Sequence, residues 1–343
     1  MKVCIVGAGA IGGLIGTRLA VAGRAQVSAI ARGATLAALQ QHGWQLRTAQ
    51  GLLHAPAQAC ASAGELGPQD LVVIAVKGPA LTQVAQGLAP LLGPATVVLP
   101  AMNGVPWWFC QGVPGFPGGG ALQSVDPGGV IGAAIPFERV LGCVVHASAS
   151  TPETGVVQHR VGDGLIVGEP LAAARTGLGP HDERSDHSER AQAIVDLLAH
   201  AGFNATLSAD VRYDVWYKLW GNMTMNPVSA ITGATIDGVL GDPLVRAFCS
   251  AAMGEAAAIG ARIGCRIDQT PENRHAMTAR LGAFKTSMLQ DVEAGRPLEL
   301  DAIVGAVHEI GRHLGIATPN IDALLGLTRL FGRVRGLYPA QSA

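Results

Sequence analysis

Val3-Cys4-Ile5-Val6-Gly7-Ala8-Gly9-Ala10-Ile11-Gly12 is the stretch on which the fold of this chain turns. Four apolar, β-prone residues end at a glycine, and a helical pattern runs from Ala10 to Ala22, so the local reading is strand, turn, helix. Glycines at 7, 9 and 12 make a GxGxxG placed directly after the strand. Each has its own physical reason. Gly7 permits the tight turn, Gly9 lets backbone approach a pyrophosphate, and Gly12 lets the helix close on the strand, while the helix start offers unpaired N–H groups to phosphates. Gly7, Ala8, Gly9, Ala10, Ile11 and Gly12 are therefore expected to hold a dinucleotide cofactor.

Working outward, residues 26–31 read as a second strand, 70–76 as a third and 95–99 as a fourth, each separated from the next by helical or turn-rich sequence. That alternation predicts an α/β fold with a doubly wound parallel sheet. Residues 140–149 and 155–167 read as later strands, with turns at 152–155 and 162–164. The second strand ends in Ala29-Ile30-Ala31-Arg32-Gly33. An NAD site would place a carboxylate there for the ribose 2′-hydroxyl. Arg32 would instead attract a 2′-phosphate, which favours NADP(H), against the plainer reading of a solvated arginine. Lys77 follows the third strand at the edge where such sheets bind ligands, and would meet a cofactor phosphate or simply stand in water.

A length of 343 residues fits two domains better than one. Hydrophobic residues make up 49% and charged residues 14%, which excludes a disordered chain, and a net charge of -1 gives no global attraction to nucleic acid or a membrane surface. The cysteines at 4, 60, 110, 143, 249 and 265 form no CxxC pair, so reduced thiols in a cytoplasmic protein are expected, without zinc cage or disulfide framework. The uncharged run after Lys2 imitates a signal peptide, but Gly7, Gly9, Gly12, Gly13 and Gly16 spoil it, and no other clean apolar span of about 20 residues stands out. Two polar or Gly/Pro-rich segments read as loops: residues 104–132, carrying Trp107, Trp108, Phe109 and Phe116, and residues 176–190, whose His181 and His187 are assigned no metal. From about residue 208 the pattern is helical, with windows at 210–225, 243–263, 270–293, 297–314 and 320–331. The expected domains are 1–207 and 208–343.

The densest chemical pattern is Trp216-Tyr217-Lys218-Leu219-Trp220-Gly221-Asn222-Met223-Thr224-Met225-Asn226-Pro227. Lys218, Asn222 and Asn226 are spaced i, i+4, i+8 and share one helical face. An ammonium set among aromatic side chains loses hydration and would donate a proton to a carbonyl oxygen, while the two amides would hold a carboxylate or hydroxyl. A plain amphipathic helix gives the same spacing. Pro297 marks a helix start that would put Glu299 in the first turn, where Glu299 and Asp301 read as capping or surface acids on pattern alone.

These pieces resemble the ketopantoate reductases (2-dehydropantoate 2-reductases). The resemblance spans most of the chain: GAGAIG from Gly7, AVK ending at Lys77, Asn103-Gly104, WYKLWGNMTMNPVSAI, SMLQD from Ser287, LELD from Leu298 and GIATPN from Gly315. It implies an N-terminal Rossmann domain, an all-helical C-terminal domain and an active site in the cleft between them. It implies that Lys218 protonates the ketone as NADPH delivers hydride, that Asn222, Asn226 and Ser287 bind substrate, and that Glu299 orders cofactor and substrate, against the bland reading. Asn103 would lie at the nicotinamide, with Arg32 and Lys77 at the adenosine phosphate. The implied reaction is reduction of 2-dehydropantoate to (R)-pantoate on the route to pantothenate and coenzyme A. Members commonly have Gln before the Asn-Gly, where this chain has Met102, and the aromatic 104–132 loop is long. Another branched or aromatic 2-oxo acid is thus an alternative substrate, and a non-catalytic NADP sensor a further alternative. The weakly charged helical half leaves room for a homodimer.

Overall fold

The computed structural model describes residues 1–170 and 188–340, so His181, His187 and most of the expected 176–190 loop lie outside the described residues. The backbone forms two compact units, residues 1–102 with 129–214 and residues 103–128 with 215–343. The expected single cut at 207/208 differs from this division mainly in the 103–128 segment, which belongs to the helical unit.

The first unit opens with β1 (Lys2–Val6), α1 (Ala10–Ala22), β2 (Gln26–Ile30) and α2 (Gly33–His42). A hairpin, β3 (Trp44–Thr48) and β4 (Gly51–Ala55), leads to β5 (Gln58–Cys60), β6 (Gln69–Ile74), α3 (Gly78–Gln86) and β7 (Leu92–Pro100). After the excursion through the other unit come α4 (Val130–Ala134), β8 (Gly142–Glu153), β9 (Val156–Gly168), α5 (Glu189–His200) and β10 (Asn204–Leu207). Strands β5-β2-β1-β6-β7 form one parallel sheet. The chain winds outward from β1 to β5 and returns to β6 beside β1, so the order reverses between β1 and β6. Ligands bind at the carboxyl ends of strands at such a reversal. The expected α/β fold with a doubly wound sheet is present.

Sequence reading did not anticipate a second sheet, in which β9 pairs antiparallel with β8 and parallel with β3 and β10, and β3 pairs with β4. The turn expected at 162–164 falls inside the strand expected over 155–167, which forms as β9. Pairing of β8 and β9 continues past it with a register shift at His146/Ser148, and Gly162 takes φ +78. A bulge absorbs the glycine and the strand runs on.

Helix α1 packs on β1 and β2 of the parallel sheet and on β3, β4, β8 and β9 of the other. Contact on both sides explains its composition: Gly12, Gly13, Leu14, Ile15, Gly16, Thr17 and Leu19 are buried, and its one charged residue, Arg18, pairs with Asp163 at 2.6 Å. A Cβ on Gly16 would stand 2.5 Å from the Trp44 ring and 3.1 Å from Ile5. The run that imitates a signal peptide is thus a helix clamped between two sheets.

The second unit holds most of α6 (Val211–Thr232), then α7 (Ile236–Gly241), α8 (Pro243–Arg262), α9 (Pro271–Ala279), α10 (Ser287–Glu293), a π-helical turn (Asp301–Gly305), α11 (Ala306–His313) and α12 (Pro319–Val334). Among the described residues after Leu207 there is no strand, in keeping with the helical reading. Two details differ. The window 270–293 is broken between Ala279 and Ser287, where Gly282 takes φ +61, and the helix expected to start at Pro297 begins only at Leu300. Helix α8 is also long and apolar enough, by length and composition, to cross a bilayer, with a mean hydropathy of 1.3, which sequence reading passed over. Its buried residues Cys249, Ala252, Met253, Ala256, Ile259 and Gly260 accompany packing against α7, α9, α11 and α12, with 33% of the apolar window buried.

Segment 103–128 joins this unit through its aromatic residues. Trp107, Trp108 and Phe109 are at most 1% exposed, and the Phe109 ring stacks on Trp216 of α6 at 5.7 Å. Together with buried Val105, Cys110, Phe116 and Leu122 they give the Gly- and Pro-rich stretch an apolar anchor in the bundle. Further along, the backbone N–H groups of Gln123 and Ser124 donate to the Glu309 carboxylate at 2.7 and 2.8 Å. Desolvation would raise Glu309, but hydrogen bonds from Ser124 and Gln123, with His313 nearby, leave it below the ordinary carboxylate range.

Candidate active site

Of the residues expected to hold a cofactor, Gly7 to Gly12, Arg32 and Lys77 lie in the first unit, and Asn103 and Glu299 in the second. β1 ends at Val6, and Gly7 turns the chain at φ +94, donating its N–H to Ile30 O at 3.1 Å. A Cβ on Gly7 would meet Val76 at 2.6 Å, and one on Gly12 would meet Gly7 O at 2.0 Å. The protein's own packing demands those two glycines. Gly9 is different: it is exposed, its φ of -79 suits any residue, and a Cβ there would meet nothing within 4 Å. Packing within the chain does not call for a glycine there, and its open side leaves room for a ligand. Gly9 also brings no side chain to cap α1, whose first N–H groups face outward with the positive end of the helix dipole. The cradle fits a diphosphate.

Arg32 follows β2 as the residue before α2, is exposed, and donates from Nη1 to Gln83 Oε1 of α3 at 2.9 Å. Its neighbours Ala31 and Gly33 supply no carboxylate. Lys77 follows β6 as the residue before α3, with its ammonium buried. Gly7 and Lys77 thus stand at the ends of β1 and β6, the two strands flanking the reversal of strand order, and Arg32 stands at the end of β2.

The reacting end lies in the second unit. Lys218, Asn222 and Asn226 occupy successive turns of α6, the first two half-buried and Asn226 only 5% exposed. Lys218 Nζ donates to Asn103 Oδ1 at 2.8 Å. One of the three ammonium donors is used in that bond, and with Oδ1 so engaged the Asn103 amide turns its NH2 elsewhere as a donor. Such an arrangement holds a charged acid beside a neutral donor. It can place hydrogen bonds on a carbonyl oxygen and release one proton to it.

Aromatic residues around Lys218 fall on two sides. Trp216 and Trp220 are buried in the bundle, Trp220 Nε1 donating to Met253 O at 2.7 Å, whereas Tyr217 is half-buried with its hydroxyl on Gln269 and the Arg274 guanidinium 4.6 Å from its ring centre. Lys218 has the aromatic sequence neighbours expected, but the two tryptophans serve the core. Trp107 and Trp108 do likewise, each 1% exposed.

Ser287 opens α10 and is exposed. Glu299 is half-buried and stands immediately before the helical residues, correcting the expected first-turn position, because the helix starts three residues later than Pro297 suggests. Among the expected site residues the structure joins Asn103 to Lys218 directly, sets Asn222 and Asn226 on the same helix, and distributes the set between two units: the glycine turn, Arg32 and Lys77 in one, the rest in the other. Sequence reading missed Tyr338, whose hydroxyl donates to Asp301 Oδ1 at 2.5 Å. Its only signal was an aromatic residue just before the Pro-Ala-Gln-Ser-Ala end.

Residues 3–107 match the family described as ketopantoate reductase PanE/ApbA, and residues 210–331 match the C-terminal part of the same family. The chain is 42% identical over 338 residues to a 2-dehydropantoate 2-reductase of Mesorhizobium japonicum, covering 98% of this chain and 100% of that one. A crystal structure from Ralstonia solanacearum MolK2, assigned as a ketopantoate reductase, is 53% identical with a TM-score of 0.90 over 98% of this chain and 99% of the other. In fold alone, the chain is like a D-mandelate dehydrogenase solved with NADH and anilino(oxo)acetate, at 22% identity and a TM-score of 0.79 over 98% of this chain and 100% of that one.

Proposed function

Since the chain belongs to the ketopantoate reductase family of oxidoreductases, we propose that it reduces 2-dehydropantoate to (R)-pantoate with NADPH, a step toward pantothenate and coenzyme A. The observation that carries the reading is the 2.8 Å bond from Lys218 Nζ to Asn103 Oδ1 on a helix whose next two turns bring Asn222 and Asn226.

A bound nicotinamide supplies the hydride that this chemistry requires. Gly7 to Gly12 and the start of α1 would hold its diphosphate, and Lys77 and Arg32 would meet the adenosine side, where Arg32 would pair with a 2′-phosphate. Lys218 donates a hydrogen bond to the substrate ketone oxygen and passes it a proton as the carbon accepts hydride, so the C=O becomes CH–OH and the lysine is left neutral. Asn103 keeps the ammonium aimed. Asn222, Asn226 and Ser287 bind the hydroxyl and carboxylate of the acid without titrating, and Glu299 orders the reacting groups. All six cysteines are free thiols, which suits a reducing cytoplasm.

A second reading keeps the chemistry and changes the acid. Met102 puts an apolar side chain immediately before Asn103, which would suit a branched or aromatic 2-oxo acid. The test is cofactor consumption, followed by absorbance, with 2-dehydropantoate, 2-oxoisovalerate, phenylglyoxylate and pyruvate, each with NADPH and NADH. Preference for 2-dehydropantoate with NADPH is expected. Turnover of another acid transfers the substrate, and silence with NADPH still bound turns the reading to a sensor.

A further inference from the structure

Helix geometry normally sends the N–H of Ala306 to the carbonyl four residues back, at Ala302. Here it goes five back, to Asp301 O, and residues Asp301–Gly305 form one π-helical turn. The wider turn releases the Ala302 carbonyl from that partner. It accepts instead from Val105 N–H at 2.7 Å, on a segment nearly 200 residues earlier in the chain. So close an approach needs residue 104 to be glycine. Gly104 takes φ +84, and a Cβ there would stand 2.5 Å from Ala302 O and 2.7 Å from Ala302 C. The residue immediately before this anchored pair is Asn103, the acceptor for Lys218.

A π turn is uncommon and is found often at functional sites, where it is kept against the preference for regular α-helix. At its first residue the Asp301 carboxylate accepts the Tyr338 hydroxyl at 2.5 Å. The tyrosine is itself held in place. Leu298 N–H donates to Leu337 O at 2.9 Å, just before the turn, and a Cβ on Gly332 of α12 would lie 2.8 Å from Tyr338 Cβ. The sequence of contacts therefore runs Tyr338, Asp301, the π turn, Ala302 O, Val105, Asn103, Lys218.

We propose that Tyr338 is a positioning residue for the reaction: with Asp301 it holds the π turn that presents Ala302 O to Val105, and so aims Asn103 at the Lys218 ammonium. The inference rests on Lys218 being the proton donor, but the geometry it describes is measurable whether or not that reading holds. Lysine is scarce, with Lys2, Lys77, Lys218 and Lys285 the complete set, so protein labelled with 15N at the lysine side chain gives a spectrum in which Lys218 is assigned by its loss in Lys218→Ala.

The experiment records that spectrum and steady-state kinetics with 2-dehydropantoate and NADPH on the full chain, for the wild type, Tyr338→Phe, Asn103→Ala and the double variant. Tyr338→Phe is expected to move the Lys218 resonance and leave Lys2 and Lys285 in place, with kcat lowered about ten-fold and KM changed less than about two-fold. In the Asn103→Ala background Tyr338→Phe has no further effect on either readout. Asp301→Ala breaks the same bond from its other end, leaves the tyrosine packed, and gives the same shift should Tyr338→Phe not fold. An unmoved Lys218 resonance, or one moved equally with Asn103 absent, overturns the positioning role and leaves Tyr338 a mere anchor of the C-terminal segment. A wild type silent toward every 2-oxo acid sinks the assigned reaction, while the resonance still decides the positioning.

Discussion

The proposed choice of NADPH over NADH rests on Arg32. It stands one residue past the buried Ala31 at the end of β2, exposed, with one guanidinium nitrogen on Gln83 and no carboxylate beside it. A guanidinium matches a phosphate with paired donors, whereas a ribose hydroxyl offers it little. Arg32→Ala should therefore raise Kd for NADPH roughly ten- to hundred-fold and for NADH by less than about three-fold. Titration of both cofactors by fluorescence checks this, and an equal loss for the two would remove the 2′-phosphate argument. At this scale sequence reading went far with residues whose neighbours are local: Arg32 and Lys77 are recognisable because each directly follows a hydrophobic strand. Asn103 and Lys218 were each singled out, but their contact was not legible, since 115 positions separate them. Nothing in the local pattern says that a turn anchored by a helix carbonyl delivers one to the other.

Helix α1 serves the fold at Gly12 and, in the proposed function, the ligand at Gly9, which predicts opposite phenotypes for the same change. Gly12→Ala puts a Cβ 2.0 Å from Gly7 O and should destabilise the protein by roughly 1–3 kcal/mol. Gly9→Ala puts a Cβ into open space and should leave thermal unfolding nearly unmoved while weakening NADPH about ten-fold or more. Thermal melts with and without NADPH separate the two, and a Gly9→Ala protein that binds NADPH normally would contradict the cradle. Elements built on a clear period were legible: β1, α1, β2, β6 and β7 lie close to where apolar runs put them. Those that escaped lack a signal of their own. The β3–β4 hairpin is five residues on each side of a two-residue turn, half of it polar, and takes its place by pairing with β9 and packing on α1. Gly162 gave a turn signal inside the expected 155–167 strand because a bulge and a turn use the same residue. Pro297 looked like a helix start, but its segment is held by Leu298 N–H on Leu337 O, and the helix begins only after Glu299.

The whole molecule divides by packing and not by order along the chain. An α/β unit with a helical one was legible from the change of pattern near residue 208. The crossing of residues 103–128 into the helical unit was not, because a Gly- and Pro-rich stretch with Trp107, Trp108 and Phe109 reads as a loop until Trp216 and Glu309 show what receives it. Under the proposed function each unit has its own role. The first carries the turn and basic residues that suit a dinucleotide, and the second the ammonium and amides that suit a 2-oxo acid. Separate roles predict separable losses. The most direct test is to measure kcat with 2-dehydropantoate and Kd for NADPH on the same preparations of wild type and Lys218→Ala. The expected result is a fall in kcat of about 10²- to 10⁴-fold with the NADPH Kd within about three-fold of wild type. Turnover that survives the loss of Lys218 would contradict its role as the proton donor.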